Sequence, residues 1–152
     1  MSSSKIYNVI PDATLVCSLI LAYFFDHNSP IVTLVSSPAS LTGWLMVILG
    51  LGLALYILAN LRSEHTSTDA AGVPSEFITS GLYSRSRNPF YLSYVIITLG
   101  AAFTLGSLTS FVAPIICFAV MGAAIIPFEE RILRQEFGQE YEQYRRKVRR
   151  WL

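Results

Sequence analysis

Charge is scarce in this chain: only 14% of its 152 residues are Asp, Glu, Lys or Arg, against roughly 25% in soluble domains. With 53% of residues hydrophobic, that deficit excludes an ordinary soluble domain and points to a membrane protein. The formal net charge of +1 creates no field that would attract nucleic acid. Cysteine is nearly absent as well. Cys17 and Cys117 both sit inside apolar runs, where a thiol behaves as a small hydrophobe, and without a CxxC pair or a pairing pattern a structural disulfide is not expected. The two histidines, His27 and His65, fall outside the clear apolar spans and give a metal site little support. No phosphate-cradling glycine loop of the usual kind is present, which argues against a nicotinamide-dependent reductase. The opening "MSSSKIYNVIPDA" shows no small-residue cleavage site and is read as a retained N-terminus. The length leaves room for one domain, residues 1–152.

What the chain does have is long apolar runs, and about 20 such residues cross a bilayer core. Residues 41–61 meet that length. Residues 89–105 and 108–128 follow as a tight helical hairpin, parted only by Gly106 and Ser107. The apolar run 13–25 is short by itself, so the first span either starts earlier, through Pro11 and Asp12, or continues past Asp26 and Pro30. The expected fold is all-α: a polytopic bundle of about four transmembrane helices plus a C-terminal amphipathic cytosolic helix. Lysine and arginine collect before span one, between spans two and three, and after span four, whereas the 26–40 connection and the Gly106–Ser107 turn hold none. By the positive-inside rule both termini face the cytoplasm, which requires an even number of spans.

The middle loop, from Arg62 to about Asn88, is long for so small a protein. Its first half is polar; its second half, "FITSGLYSRSRNPFY", mixes aromatics, a turn glycine and basic residues, as packed structure does. Asn88 suits an N-cap, and Pro89 suits a first helical turn, where its missing N–H costs nothing. Beyond Phe128, Leu133, Phe137, Tyr141, Tyr144 and Val148 recur at helical spacing with charge on the other faces. That pattern predicts an amphipathic helix lying along the interface or folding over the open ends of the spans.

The hairpin brings two polar clusters to one side: Arg85, Arg87, Asn88 and Tyr91 before and within span three, Glu129 and Glu130 after span four. Arginine offers a planar donor fork to a carboxylate, a helix N-terminus adds donors, and paired glutamates favour a cation or hydroxyls. S-adenosylmethionine carries a carboxylate, an ammonium, a sulfonium and a ribose diol, and Tyr83, Tyr91 or Tyr141 could meet its adenine or sulfonium.

The ordered set of Gly81 and Tyr83, then Arg87, Asn88, Pro89 and Tyr91, an apolar hairpin, Glu129 and Glu130, then Phe137, Gly138 and Tyr141 resembles the isoprenylcysteine carboxyl methyltransferases and their phospholipid methyltransferase relatives. The resemblance covers about the last half of the chain. It implies a membrane enzyme that binds S-adenosylmethionine from the cytosol in its C-terminal half, residues 75–152, and takes a lipophilic or small-thiol acceptor from the bilayer. Asn88 stands where the family has histidine, leaving no titratable ring there; Ser93 replaces a common glycine, and Arg149 a common proline. Arg87 and Glu130 are the expected catalytic pair. Gly81, Tyr83, Asn88, Pro89, Tyr91, Glu129 and Tyr141 are the expected cofactor-binding residues.

Plainer readings exist for each piece. Arg85 and Arg87 satisfy the positive-inside rule, Tyr91 and Tyr94 suit an aromatic belt, and Glu130 with Arg134 is an i, i+4 pair. The Arg145 to Arg150 cluster suits anionic lipid. Together they describe the alternative: a non-enzymatic four-helix membrane adaptor whose basic tail binds lipid or a partner.

Overall fold

The structure, a computed structural model, describes residues 3–63 and 78–152. The polar first half of the middle loop, His65 and residues 75–77 lie outside the described residues, as do the side chains of Lys5 and Arg62. Among the described residues the regular elements are all helical: α1 Ser3–Asn28, α2 Leu41–Ser63, α3 Pro89–Leu105, α4 Val112–Val120 and α5 Ile126–Lys147. Short 3-10 turns occupy Gly81–Ser84 and Leu108–Phe111, and a π turn, Met121–Ile125, joins α4 to α5.

Three runs are long and apolar enough to cross a membrane: Ile10–Asn28, Leu41–Leu61 and a 40-residue run, Leu108–Lys147. The fourth apolar helix, α3, has 17 residues and so measures about 25 Å. It is the central one. Its Tyr91, Ser93, Tyr94, Ile97, Thr98, Gly100 and Ala102 are buried, while Trp44, Leu45, Ile48 and Leu55 of α2 stay exposed, as lipid-facing residues should. The first span begins early, through Pro11 and Asp12, and Asp12 is tolerated there because the Tyr94 hydroxyl donates to it.

Helices α2 and α3 run antiparallel with their backbones nearly touching. A Cβ placed on Gly43 would stand 2.4 Å from Thr104 Oγ1 and 2.5 Å from the Gly100 carbonyl; one on Gly100 would stand 2.7 Å from the Gly43 carbonyl. Small residues at such crossings replace the hydrophobic drive that lipid cancels. The α3–α4 hairpin turns at Gly106, which caps α3 at φ 87°, a left-handed conformation that glycine adopts without penalty. The 29–40 connection docks on that turn through Leu34 N–H to the Gly106 carbonyl and Leu108 N–H to the Val32 carbonyl, both 2.8 Å. One end of the bundle is thus closed by the 29–40 connection and the Gly106 turn; the 78–88 segment and the chain beyond Glu129 form the other.

The C-terminal helix departs from the expected separate element in two ways. It continues the fourth span, because α4 passes into α5 through the π turn. Pro127 has no N–H to return to the preceding turn, and the helix widens immediately upstream of it. It then breaks at Gly138, whose φ of 49° and ψ of −118° lie outside the helical region and are open to glycine alone at low cost. The chain turns back there. Arg134 and Glu142, four residues either side of the break, pair at 2.9 Å, and Trp151 reaches Phe118, ring centroids 4.8 Å apart. Of the two expected placements for this amphipathic stretch, the structure takes the fold over the span ends. Tyr141 and Val148 are buried, and Leu133, Phe137 and Tyr144 are half-buried, so the predicted stripe faces inward on both arms.

Candidate active site

Glu130 is where the polar end converges. Its side chain is 6% exposed and meets two guanidinium groups. Arg150 grips it with both ends of its fork, Nε to Oε1 at 3.2 Å and Nη2 to Oε2 at 2.7 Å. Arg87, 10% exposed, stands with Nη1 3.2 Å from Oε1. The Arg87 contact is an ion pair off the line of a hydrogen bond, and neither Nη1 nor Nε of Arg87 has a hydrogen-bond acceptor. Hydrogen bonding to Glu130 raises Arg150 above the ordinary arginine value, with its partial burial opposing. The Tyr141 hydroxyl is a hydrogen-bond neighbour of Arg87 and lies within the field of Glu130.

The expected pairing of Glu130 with Arg134 does not form; Arg134 goes to Glu142. A straight helix would part positions 130 and 150 by about 30 Å, and only the reversal at Gly138 lets Arg150 compete. The basic tail accordingly loses one of its expected lipid contacts. Asn88 occupies the N-cap position of α3, yet its side chain caps nothing: Nδ2 donates to the Arg150 carbonyl at 2.9 Å, while Arg87 N–H donates to the Arg149 carbonyl at 2.9 Å. The tail's carbonyls thus draw Asn88 away from the helix, and the first amides of α3 keep no side-chain partner from it. Pro89 is buried at the first position of that helix.

Glu129 belongs to a second group. Tyr91, buried rather than set in a headgroup belt, donates its hydroxyl to Glu129 Oε1. Tyr83 lies close by: burial first, and then the Glu129 carboxylate, push its phenol up to about 12, so it remains a neutral donor at any physiological pH. Tyr144 fixes this residue by donating to the Tyr83 carbonyl at 2.7 Å. Gly81 and Tyr83 also line a shallow surface hollow with Ile57, Asn60, Leu61 and Ile78. Arg85, two residues before Arg87, is exposed.

The structure therefore brings Arg87, Asn88, Tyr141 and Glu130 into one cluster, and Tyr91, Tyr83 and Glu129 into its neighbour. Gly81 stands on the hollow beyond Tyr83. Sequence reasoning passed over Arg150, hidden in a run of basic residues. The signal for Arg150 was Gly138, a lone glycine inside a helical pattern.

Replacing Gly138 tests the reversal directly. Gly138→Ala puts a Cβ on a backbone that L-residues avoid, at a cost of about 1–3 kcal/mol. The thermal midpoint should fall, and limited proteolysis should cut the 139–152 arm sooner; an unchanged cleavage rate would mean that the turn tolerates a side chain.

The sequence model of the phospholipid methyltransferase family matches residues 38–140. Over 73 residues the chain is 38% identical to two proteins, of Oryza sativa subsp. indica and subsp. japonica, each named "Probable protein-S-isoprenylcysteine O-methyltransferase"; the match takes in 48% of this chain and 38% of each relative. The chain thus spans about two-fifths of the length of those relatives. It is also 40% identical over 62 residues to an "Uncharacterized protein" of Haemophilus influenzae, covering 41% of this chain and 98% of that one. No solved structure matches.

Proposed function

Because the chain belongs to the phospholipid methyltransferase family, we propose that it transfers a methyl group from S-adenosylmethionine to a lipophilic or small-thiol acceptor at the membrane. The observation that carries this reading is the meeting of Arg87 with Glu130 where α3 begins and α5 starts toward its kink. The residues present fit the cofactor. Arg87 holds a nine-tenths buried guanidinium with Nε unpaired, beside the uncapped amides of α3, and that combination suits a carboxylate. Glu129, with Tyr91 and Tyr83 around it, suits a positive centre.

When bound, the cofactor supplies an electrophilic methyl group on a sulfonium. The chain's own contribution is to orient and to dry the site. Arg87 and the start of α3 hold the carboxylate; Glu130 fixes Arg87; Tyr141 and the returning tail exclude water. A thiolate or carboxylate acceptor requires little base catalysis, and Asn88 supplies none. By the positive-inside distribution, both termini and the site face the cytoplasm. The adaptor alternative is weakened by Arg150, which lies in the site rather than offering its charge to lipid.

Isothermal titration of the detergent-purified protein with S-adenosylhomocysteine tests the proposal: saturable binding is expected, and its absence in a folded sample rejects it. Tyr91→Phe should weaken that binding by about tenfold, the worth of one hydrogen bond to a charged group, because Glu129 then loses the hydroxyl that aims it.

A further inference from the structure

The end of the bundle opposite the Arg87–Glu130 cluster presents apolar side chains on irregular backbone. In the 29–40 connection Ile31 is 70% exposed, Val32 52% and Leu34 55%. Leu41 and Trp44 at the start of α2, and Leu108 and Val112 beyond the hairpin turn, are exposed at the same end. The connection is pinned and cannot turn these side chains inward. Leu34 and Val35 N–H both donate to the Gly106 carbonyl, and Leu108 N–H donates to the Val32 carbonyl. The fit is close: a Cβ on Gly106 would stand 2.3 Å from the Val35 carbonyl oxygen. Charge is missing as well. No Asp, Glu, Lys or Arg occurs between Asp26 and Arg62 or between Arg87 and Glu129, and Asp26, the last charge before the connection, is half-buried. The central helix sets the depth of this end. Helix α3, with 17 residues, measures about 25 Å against a hydrocarbon core of about 30 Å. With Asn88 at one boundary, Gly106 and the connection docked on it come to rest just inside the other.

We propose that the 29–40 connection is a membrane-inserted cap: Ile31, Val32 and Leu34 enter the acyl boundary of the leaflet opposite the candidate site, and the partner of this surface is lipid. Irregular backbone is not tolerated facing the middle of the bilayer, so the backbone of the cap stays at headgroup level while its side chains point inward. The shortfall of α3, about 5 Å, lies within the depth to which interfacial segments sink an apolar face. Trp44, exposed one turn into α2, suits the same boundary. The contact is apolar, so it requires no anionic headgroup, unlike a basic tail on acidic lipid. It stands independently of the methyl-transfer reading.

The test uses the full chain in phosphatidylcholine bilayers, with Cys17→Ser removing the exposed thiol and Cys117 left in place because it is buried. A nitroxide is attached at Ile31→Cys or at Leu34→Cys, and its collisions with oxygen, which concentrates in lipid, are compared with those with a water-soluble nickel chelate. Ile48→Cys, exposed on α2, is the lipid reference, and Glu140→Cys, exposed on the returning arm, is the water reference. At both positions of the connection the oxygen-to-nickel ratio should be several-fold above that at Glu140→Cys and approach that at Ile48→Cys. A ratio no higher than at Glu140→Cys overturns the proposal by placing the connection in water. Shielding from both reagents, with spin–spin broadening that fades on dilution with unlabelled protein, also overturns it, by giving the surface to a second copy of the chain. Both labelled side chains are exposed, so neither label displaces packed atoms; if one lowers the thermal midpoint, the other decides the result.

Discussion

Glu130→Gln should abolish measurable S-adenosylhomocysteine binding and lower the thermal midpoint of the protein in detergent. The carboxylate is 6% exposed and serves two guanidinium groups. Neutralising it leaves Arg87 charged, nine-tenths buried and without an anion, and breaking a buried pair from one side costs about 3–5 kcal/mol. Loss of binding alone would therefore not separate a functional residue from a structural one. The double variant Glu130→Gln with Arg87→Met does separate them. Replacing both members of a buried pair by well-packed groups is often neutral, so stability should return toward wild type while binding stays lost. Recovery of both in the double variant would remove the pair from the cofactor site.

Gly43→Val should be the most damaging single change in the membrane-embedded part. The first added carbon would lie 2.4–2.5 Å from Thr104 Oγ1 and from the backbone of α3, and backbone cannot swing aside as a side chain can. The helices must separate along their whole crossing, exposing Gly50 and Gly100 as well. A loss above about 3 kcal/mol is expected, beyond the usual range for overpacking, seen as aggregation on extraction and a collapsed thermal transition. Gly52, with nothing near its Cβ position, supplies the control: Gly52→Ala should leave the transition in place. If Gly43→Val behaves like Gly52→Ala, the close approach of α2 and α3 is wrong.

The parts of this fold that were legible in the sequence are those set by local composition. Apolar runs gave the helices, and the two-residue interruption at Gly106–Ser107 gave the hairpin. The hairpin alone brought Arg87 and Glu130 to one end. The early start of α1 could not be decided by hydropathy, because the partner that makes Asp12 tolerable, Tyr94, is 82 residues away. The stripe from Leu133 to Val148 kept its helical spacing across Gly138, so periodicity reported which residues face inward but not that the helix reverses between them. A backbone angle of one residue decided that. Once the helix reverses, Arg150 displaces the local Glu130–Arg134 pair and its carbonyl takes the Asn88 amide, two exchanges between distant positions that no spacing rule encodes.

The reversal also couples the lengths of two stretches that share no sequence. Arg134 and Glu142 are equidistant from Gly138, and Glu130 meets Arg150 only because the returning arm, with its short extended end, matches the outgoing one. Removing one residue from a single arm would slide its charges by about 1.5 Å and rotate them by about 100°, turning Glu130 from its partner. Insertions and deletions here should therefore survive in evolution as matched pairs flanking the glycine, in steps of a whole turn.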